Sequence, residues 1–389
     1  MDEHQPGKEP PSSRTLFLSF LLLGATAFGG PAMVEYIRRL AVEEKGWLDE
    51  ASFREGVALC TTIPGATAIQ VAGYVGLRAR GVPGAALAFA GFALPAFLLM
   101  MLLAAFYLAA MGNSMAASAF QGLQALVVAI VGAAAVGFSR NTLSGLRPIL
   151  IAAVAAGLFL AGISPVLIIL LSGILGVLLV TPLPVPEESA GAPPAPAPWA
   201  VAAIIAGALG FLLLLLIFAP VLAGIFSLMA GIDLLAFGGG QAALPLLYHE
   251  VVQVRGWLDA ATFLDGIALG QVTPGPIVIS ATFIGYLVAG PLGGIVATLG
   301  IFLPSFLLVI GTAPYFPRLR SIPSLSRAFG GILSSFAGLL FSVTILFATR
   351  IPWTLPLAAL ALGAFAALLY GIRIHWVVIA AVLLSLLFL

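Results

Sequence analysis

The sequence predicts an all-α polytopic membrane protein made of two homologous helical repeats, and three observations lead to this fold class. Only 8% of the 389 residues are charged and 61% are hydrophobic, whereas soluble domains carry about 25% charged residues. Residues 84–138 and 266–317 contain no Asp, Glu, Lys or Arg, and each stretch exceeds the roughly 20 residues that one membrane crossing needs. In addition, the motifs of the first half recur in the second half.

The repeat is carried by four spaced motifs, which return at an offset of 209 or 210 residues. They are Phe-Gly-Gly at Phe28 and Phe237, Gly-Trp-Leu-Asp at Gly46 and Gly256, Pro-Gly at Pro64 and Pro274, and Leu-Pro-x-Phe-Leu-Leu at Leu94 and Leu303. Self-similarity over this length indicates a duplicated membrane unit.

The repeat divides the chain into five parts. We predict a polar tail at 1–14, a first membrane repeat at 15–181, a proline-rich linker at 182–198, an extra transmembrane helix at 199–222 and a second repeat at 223–389. The tail mixes acidic and basic residues and therefore lacks the positive region of a signal peptide. The proline density of the linker precludes a helix and favours an extended connector.

A single extra crossing would invert the second repeat relative to the first, and the arginines favour this arrangement. Arg78 and Arg80 lie in a first-repeat loop whose equivalent, at 289–291, is uncharged. The uncharged loop near residue 112 has an equivalent that carries Arg318 and Arg320. Because cytoplasmic loops are enriched in Lys and Arg, the exchange predicts inverted repeats. Arg255 and the pair Arg140 and Arg350 do not follow this pattern.

Two segments are too broken to cross the membrane. Residues 51–78 and 261–288 are each split by Pro-Gly, and each half is too short to span about 30 Å at 1.5 Å per residue. We predict re-entrant helix-turn-helix hairpins there, with further breaks at the Gly-Gly motifs. Uninterrupted crossings are predicted near 84–111, 116–139, 148–162, 163–181, 199–222, 291–313, 328–349, 352–370 and 374–389.

Such breaks indicate a binding site for an anion. Broken helices persist at membrane depth only where protein or a wet cavity surrounds them, and the half-helix after a break presents free N–H groups and a positive dipole end. The candidate ligands beside these ends are Thr61, Thr62, Pro64 and Gly65 in the first repeat and Gln271, Thr273, Pro274 and Gly275 in the second. The Gly-Gly breaks add Phe28, Gly29, Gly30, Phe237, Gly238 and Gly239 to the candidate substrate-binding residues. The alternative, that Pro-Gly and Gly-Gly only permit turns and close helix packing, stays open.

These residues resemble the signature of the chromate transporter family. The resemblance rests on Phe28-Gly29-Gly30-Pro31, Trp47, Phe53 and Pro64-Gly65, and on Phe237-Gly238-Gly239-Gly240, Trp257, Phe263, Gln271 and Pro274-Gly275-Pro276. It spans both repeats and implies export of chromate from the bacterial cytoplasm, in exchange with or driven by protons, by a multi-pass protein of the inner membrane.

The first repeat departs from the family pattern. Gln-x-x-Pro-Gly-Pro is present at 271–276, but the equivalent residues 61–66 read Thr-Thr-Ile-Pro-Gly-Ala. The departure leaves the substrate and the symmetry of the site open. Gln70, one turn beyond the break, is a candidate to supply the missing amide, and a packing hydrogen bond is an equal alternative.

Three carboxylates and four arginines are further candidates. Asp233 stands in an apolar run, where a carboxylate is costly and usually functional, and its counterpart is Gly24. Glu55 and Asp265 match each other and are candidates for proton coupling, or for an interfacial or Arg54-binding role. The remaining candidates, Arg38, Arg39, Arg78 and Arg80, either attract an anion into a vestibule or only set the topology.

The predicted function is a secondary transporter for chromate or a similar tetrahedral oxyanion such as sulfate, coupled to protons. A passive anion channel, or a transporter of another small solute, remains the alternative. Three His residues and a single Cys form no catalytic or metal-binding pattern, so we expect no enzyme activity, metal or cofactor. A net charge of +1 argues against nucleic acid. The expected partners are the oxyanion, protons and the lipid bilayer, and a homodimer is left open.

Overall fold

A computed structural model of the chain describes residues 10–28, 31–110, 114–181, 195 and 197–388. Every regular element within these ranges is helical, which confirms the predicted fold class. Gly29, Gly30, most of the polar tail and most of the proline-rich linker lie outside the described residues.

The helices of the two halves follow the same order, except that the short helix Phe316–Arg320 of the second half, α13, has no counterpart among the described residues of the first. The first half contains α1 (Ser13–Thr26), α2 (Pro31–Arg38) with a π-helical turn (Arg39–Glu44), α3 (Glu50–Thr62), α4 (Thr67–Ala110), α5 (Ser114–Thr142), α6 (Leu146–Leu160) and α7 (Pro165–Leu179). After α8 (Pro198–Phe218), the second half contains α9 (Pro220–Leu235), α10 (Ala243–Tyr248) with a π-helical turn (His249–Val254), α11 (Ala260–Val272), α12 (Ser280–Thr312), α13 (Phe316–Arg320), α14 (Pro323–Ala348), α15 (Leu355–Leu369) and α16 (Ile374–Phe388). Three 3-10 turns complete it, at Gly240–Ala242, Ile277–Ile279 and Ala313–Tyr315.

Five helical segments are long and apolar enough to cross a membrane, namely Thr67–Ala110, Ser118–Thr142, Pro198–Phe218, Ile277–Leu319 and Pro323–Ala348. They overlap five of the nine predicted crossings. The other four, predicted at 148–162, 163–181, 352–370 and 374–389, correspond to α6, α7, α15 and α16, which are apolar but only 15 residues long, shorter than the roughly 20 residues of a full crossing. The helix expected at 199–222 ends at Phe218, because Pro220 begins α9 and proline cannot continue a helix that needs its N–H. None of the residues of α8 is buried, so this helix lies at the periphery, against α9.

The two longest helices, α4 and α12, are each kinked at equivalent positions. Gly81 and Gly290 adopt φ values of +65° and +62°, a conformation that glycine reaches without steric cost. The arms on either side of each kink pack closely: a β-carbon added at Gly76 would lie 2.2 Å from the carbonyl oxygen of Gly84, and one added at Gly285 would lie 2.3 Å from that of Gly293. Each kink therefore joins a short half-helix to a full crossing.

The short half-helices complete the predicted hairpins. Asp49 caps α3 by accepting a hydrogen bond from the backbone N–H of Ser52 at 2.7 Å, and Asp259 caps α11 by accepting one from that of Thr262 at 2.8 Å. Each helix then runs into its Pro-Gly break and back through the first arm of α4 or α12. α1 packs on α4, α9 packs on α12, and α4 and α12 pack on each other, so the two hairpins lie at the centre of the molecule.

Candidate functional site

The two Pro-Gly breaks have the same backbone structure. The first break comprises residues 63–66, between α3 and α4, and the second break comprises residues 273–276, between α11 and the 3-10 turn that leads into α12. Gly65 and Gly275 adopt φ values of +117° and +103°, which only glycine adopts without strain. The N–H of Gly65 donates to the carbonyl oxygen of Ala236 at 2.9 Å. The N–H of Gly275 donates to the carbonyl oxygen of Ala27 at the same distance. Each break is thus tied to the opposite repeat.

The half-helices that follow the breaks meet at the Phe-Gly-Gly-Gly segment, residues 237–240. A β-carbon added at Gly239 would lie 3.2 Å from Oγ1 of Thr67, the first residue of α4. A β-carbon added at Gly240 would lie 4.0 Å from the backbone nitrogen of Ile277 and 3.8 Å from that of Val278. Because residues 239 and 240 are glycines, they place no side chain over the first turns of the two half-helices, and helix N-termini are the ends that attract anions.

The threonines beside the breaks use their hydroxyl protons within their own helices. Thr61 donates to the carbonyl oxygen of Val57 at 2.9 Å, Thr62 to that of Ala58 at 2.7 Å and Thr273 to that of Gly270 at 3.0 Å. A hydroxyl has one proton to donate, so in this conformation none of the three donates to a bound anion. Their roles as substrate ligands stay predictions.

A buried polar network joins the first break to the second repeat. The backbone N–H of Ser305 and its hydroxyl donate to the Asp233 carboxylate at 2.7 and 2.9 Å. Oγ of Ser305 accepts hydrogen bonds from the N–H of Ala66 and from Nε2 of Gln70, both at 3.3 Å. Nε2 of Gln70 also donates to the carbonyl oxygen of Pro64 at 2.6 Å. Asp233, Gln70 and Ser305 are at most 1% exposed, so water does not compete for these bonds.

Both glutamines near the breaks retain a polar atom without a partner in the described part of the chain. In Gln70 this atom is the acceptor Oε1, and in Gln271 it is the donor Nε2. Gln271 is 6% exposed and lies in the last turn of α11. A buried amide without a hydrogen bond is uncommon and costs about 1 to 3 kcal/mol, which marks both positions as candidate ligand contacts.

Asp265 lies in a second buried polar cluster, closer to the start of α11. Its carboxylate accepts a hydrogen bond from the Tyr107 hydroxyl at 2.9 Å and one from Nε2 of Gln124 at 2.8 Å. Glu55, its counterpart, is only partly buried. The neighbouring Arg54 forms its ion pair with Glu50, at 3.7 Å.

The four arginines are all engaged by other groups. Arg38 forms ion pairs with Glu35, Glu43 and Glu50 at 2.9, 2.5 and 3.1 Å, and Arg39 forms one with Glu44 at 3.0 Å. Arg78 donates to the hydroxyl of Ser52, and Arg80 donates to the carbonyl oxygen of Pro11 at 2.8 Å. The carboxylates around Arg38 and Arg39 offset much of the attraction that these two would exert on an anion.

The remaining predicted site residues are the aromatic members of the Phe-Gly-Gly motifs. The ring of Phe28 lies 6.0 Å from that of His375, and the ring of Phe237 lies 5.7 Å from that of Phe329. Both therefore pack against aromatic neighbours. Gly238 and Gly239 have φ values of +92° and +101°, so the predicted break of the second repeat is present.

A cavity of about 380 Å³ lies between α4 and α12, lined by equivalent residues of the two repeats. Its walls are apolar except for Thr298, whose hydroxyl is bonded to Gly294 and Thr282. An oxyanion needs hydrogen-bond donors when it leaves water, so this cavity does not suit one, and the breaks remain the candidate site.

Sequence reasoning missed four residues of these clusters. Ser305 and Thr67 lie at the breaks, and Tyr107 and Gln124 hold Asp265. A signal for Ser305 was available, because it replaces Ala96 within the repeated Leu-Pro-x-Phe motif. Tyr107 and Gln124 are far from Asp265 in sequence, and no local pattern connects them.

Comparisons with known proteins agree with the resemblance seen in the motifs. The sequence profile described as "Chromate transporter" matches residues 14–177 and again residues 223–386. The chain is 40% identical to an uncharacterized transporter of Methanocaldococcus jannaschii, over 89% of this chain and 87% of that protein. It is 35% identical to a probable chromate transport protein of Synechococcus elongatus, over 84% of this chain and 82% of that protein. It is 32% identical to the chromate transport protein of Cupriavidus metallidurans, over 92% of this chain and 88% of that protein.

No solved structure matches the chain. The profile nevertheless covers both halves of the described fold, and the relatives align over most of their own length. This multi-pass membrane protein therefore belongs to the chromate transporter family.

Proposed function

We propose that the protein is a secondary transporter that exports chromate, or a similar tetrahedral oxyanion such as sulfate, across the bacterial inner membrane. Two relatives that align over most of the chain carry names that specify chromate transport. The observation that carries the proposal is the convergence of two half-helix N-termini on the glycine segment at 237–240. This arrangement offers backbone donors to an anion at the centre of the molecule.

The proposed site would bind a dianion without Lys or Arg. Each helix N-terminus carries the equivalent of about half a positive charge, so two of them offset a substantial part of a dianion's charge. Backbone N–H groups and the Gln271 amide would replace the water that a tetrahedral oxyanion loses on entry. Because such a site holds less positive charge than a pair of arginines, it would also release the anion readily, as transport requires.

Coupling to protons would use the buried carboxylates. Asp233 and Asp265 are 1% and 6% exposed, and a carboxylate within a membrane segment usually belongs to an ion or proton pathway. Asp233 contacts the first break through Ser305, so a proton on its carboxylate would change the hydrogen bonds of the break directly. Asp265 lies in α11, the helix that ends at the second break, and Glu55 is the matching candidate in the first repeat.

Transport in inside-out vesicles tests the proposal. Vesicles containing the protein are supplied with labelled chromate, with sulfate as competitor, in the presence and absence of an imposed proton gradient. We expect chromate to accumulate inside the vesicles above its external concentration only when the gradient is present. Vesicles with an unrelated membrane protein at equal density provide the control.

The same assay separates the alternatives. Equilibration without accumulation, at the same rate with and without the gradient, would indicate a passive anion channel. If sulfate enters strongly and chromate does not, the transported substrate is a tetrahedral oxyanion other than chromate. If neither anion enters, the proposed function is wrong.

A further inference from the structure

We propose that the hydrogen bonds to the transported oxyanion come from the second break alone, because the polar network around Asp233 occupies the first break, whose half-helix contributes only the positive end of its dipole. The inference rests on the proposed function and specifies which half of the duplicated site holds the substrate. It follows from the side chains that surround the two otherwise equivalent breaks.

The donors of the first break are already used. The N–H of Ala66 and Nε2 of Gln70 both donate to Oγ of Ser305, and Gln70 also donates to the carbonyl oxygen of Pro64. Ser305 in turn donates twice to Asp233. A dianion in this place would displace these bonds and would lie beside a carboxylate, and like charges at close range repel strongly where water is excluded.

The free polar atom of the first break also has the wrong chemistry for an anion. It is Oε1 of Gln70, a hydrogen-bond acceptor that lies buried without a partner in the described residues. An acceptor oxygen close to a carboxylate favours a proton or another donor rather than an oxyanion. The first break therefore matches a proton-handling role and not a substrate site.

At the second break, the equivalent positions contain no carboxylate. Asp233, Ser305 and Gln70 correspond to Gly24, Ala96 and Ser280, and the Ser280 hydroxyl donates to the carbonyl oxygen of Ile277 at 3.1 Å. The unpartnered atom here is a donor, Nε2 of Gln271, in a side chain that is only 6% exposed. A ligand with acceptor oxygens, such as an oxyanion, would satisfy this donor.

Backbone donors follow the same break, at the start of the next helix. A β-carbon added at Gly270, next to Gln271, would lie 3.3 Å from the carbonyl oxygen of Ile277, so the last turn of α11 packs on the start of the following helix. The N–H groups of Ile277 and Val278 belong to the first turn, which has no acceptors within its helix. They face Gly240, whose missing side chain leaves them uncovered.

Direct binding of labelled chromate and sulfate to the purified full-length protein tests this assignment. Gln271→Ala removes the side-chain donor, and Gly240→Ala covers the backbone N–H groups of Ile277 and Val278. The added β-carbon at 240 would meet its nearest atom at 3.4 Å, an ordinary contact that the fold tolerates. We expect each change to weaken chromate binding about tenfold to a hundredfold, the usual effect of losing one hydrogen bond to a charged ligand.

Two variants serve as comparisons. Ser305→Ala disrupts the network of the first break and is expected to leave chromate affinity within about threefold of the parent, well below the loss of one charged hydrogen bond. Gln121→Ala removes an amide from an exposed position of α5 and should change nothing. If Gln271→Ala does not fold, Gln271→Met removes the donor while keeping a side chain of similar length.

The outcomes separate this inference from the proposed function. Loss of binding in Ser305→Ala, with normal binding in Gln271→Ala and Gly240→Ala, would overturn the one-sided site while chromate transport stands. Binding of sulfate but not chromate, with the same dependence on Gln271, would reject chromate as substrate and support the site. A parent protein that binds neither dianion would overturn both.

Discussion

The first and second breaks share a backbone but differ in every polar side chain that surrounds them. At the first break, Asp233 and Ser305 reach across from the other repeat and take up the available donors. At the second break, the same positions are occupied by Gly24 and Ala96, and the donor of Gln271 remains without a partner in the described chain. A duplicated scaffold can thus keep its glycines and cross-repeat hydrogen bonds while its two sites diverge in chemistry.

The comparison also explains why the first repeat departs from the family motif. Residues 61–66 carry Thr61 where the second repeat has Gln271, and Ala66 where it has Pro276. Ala66 has the N–H that proline lacks, and this N–H donates to Ser305. The substitution of Ala for Pro is therefore part of the network of the first break.

The largest expected effect concerns the orientation of the two repeats, because accessibility to a labelling reagent is all or none. If the repeats are inverted, Ala79→Cys is labelled from the cytoplasm and Ala289→Cys is labelled from outside. Both are made in a Cys60→Ser background, which removes the single native cysteine, and labelling uses a membrane-impermeant maleimide on intact cells and inside-out vesicles. Labelling of both positions from the same side of the membrane would contradict the inverted arrangement of the repeats.

The next largest effect comes from adding one methyl group at each break. A β-carbon at residue 65 would lie 2.1 Å from Oγ of Ser305 and 2.5 Å from Nε2 of Gln70, whereas one at residue 275 meets only Ala96, at 2.8 Å. Both substitutions also force a left-handed backbone on alanine. We expect Gly65→Ala to lower the free energy of unfolding by about 2 to 5 kcal/mol and Gly275→Ala by about 1 to 3 kcal/mol.

Thermal unfolding in detergent measures this difference. Gly207→Ala is the matched control, because a β-carbon there meets no atom within 4 Å and alanine favours a helix over glycine. Equal destabilisation of the two break variants would show that the network of the first break adds nothing to its rigidity.

A smaller and more selective effect is expected from Asp233→Asn. Asparagine keeps the size of the side chain and an oxygen that accepts from the Ser305 N–H, but it cannot take up and release a proton. Transport in vesicles should lose its dependence on the proton gradient, while binding of chromate at the second break should be largely retained. Asp265→Asn is the matched comparison, because its carboxylate is also buried and also accepts two hydrogen bonds, from Tyr107 and Gln124.

Each result of this pair has a distinct meaning. Loss of proton dependence in Asp233→Asn assigns the coupling to the first break. If only Asp265→Asn loses it, coupling belongs to the Tyr107 and Gln124 cluster and Asp233 has a structural role. Unchanged dependence in both variants would leave the buried carboxylates outside the coupling mechanism.

The sequence predicted the fold well because periodic and repeated features determine it. Charge-free runs located the crossings, and Pro64-Gly65 and Pro274-Gly275 located the breaks, since backbone conformation there depends on proline and glycine themselves. The caps formed by Asp49 and Asp259 were also predictable, because capping is local. The structure agrees with the breaks and the caps and has five helices long enough to cross, whereas the helices at the other four predicted crossings are shorter.

The chemistry of the site was less predictable, because it depends on contacts across long sequence distances. Ser305 and Gln70 are separated by 235 residues, and Tyr107 and Asp265 by 158. The repeat alignment compared Asp233 with Gly24 but could not show which break it would face. Only the exchange of partners between repeats, seen in the bonds from Gly65 to Ala236 and from Gly275 to Ala27, places Asp233 at the first break.

The smallest effect is expected from the arginines of the predicted vestibule. The ion pair of Arg39 with Glu44 measures 3.0 Å between side chains that are 64% and 48% exposed, and exposed pairs contribute about 0 to 1 kcal/mol. Arg39→Gln should therefore leave the initial rate of chromate uptake within about twofold of the parent, a change smaller than 1 kcal/mol. Measurements at low and physiological ionic strength provide the control, because electrostatic attraction of a substrate weakens as salt rises. A tenfold loss of rate that disappears at high salt would mean that this surface concentrates the anion before it reaches either break, and the contrast between the two breaks would then explain only part of the selectivity.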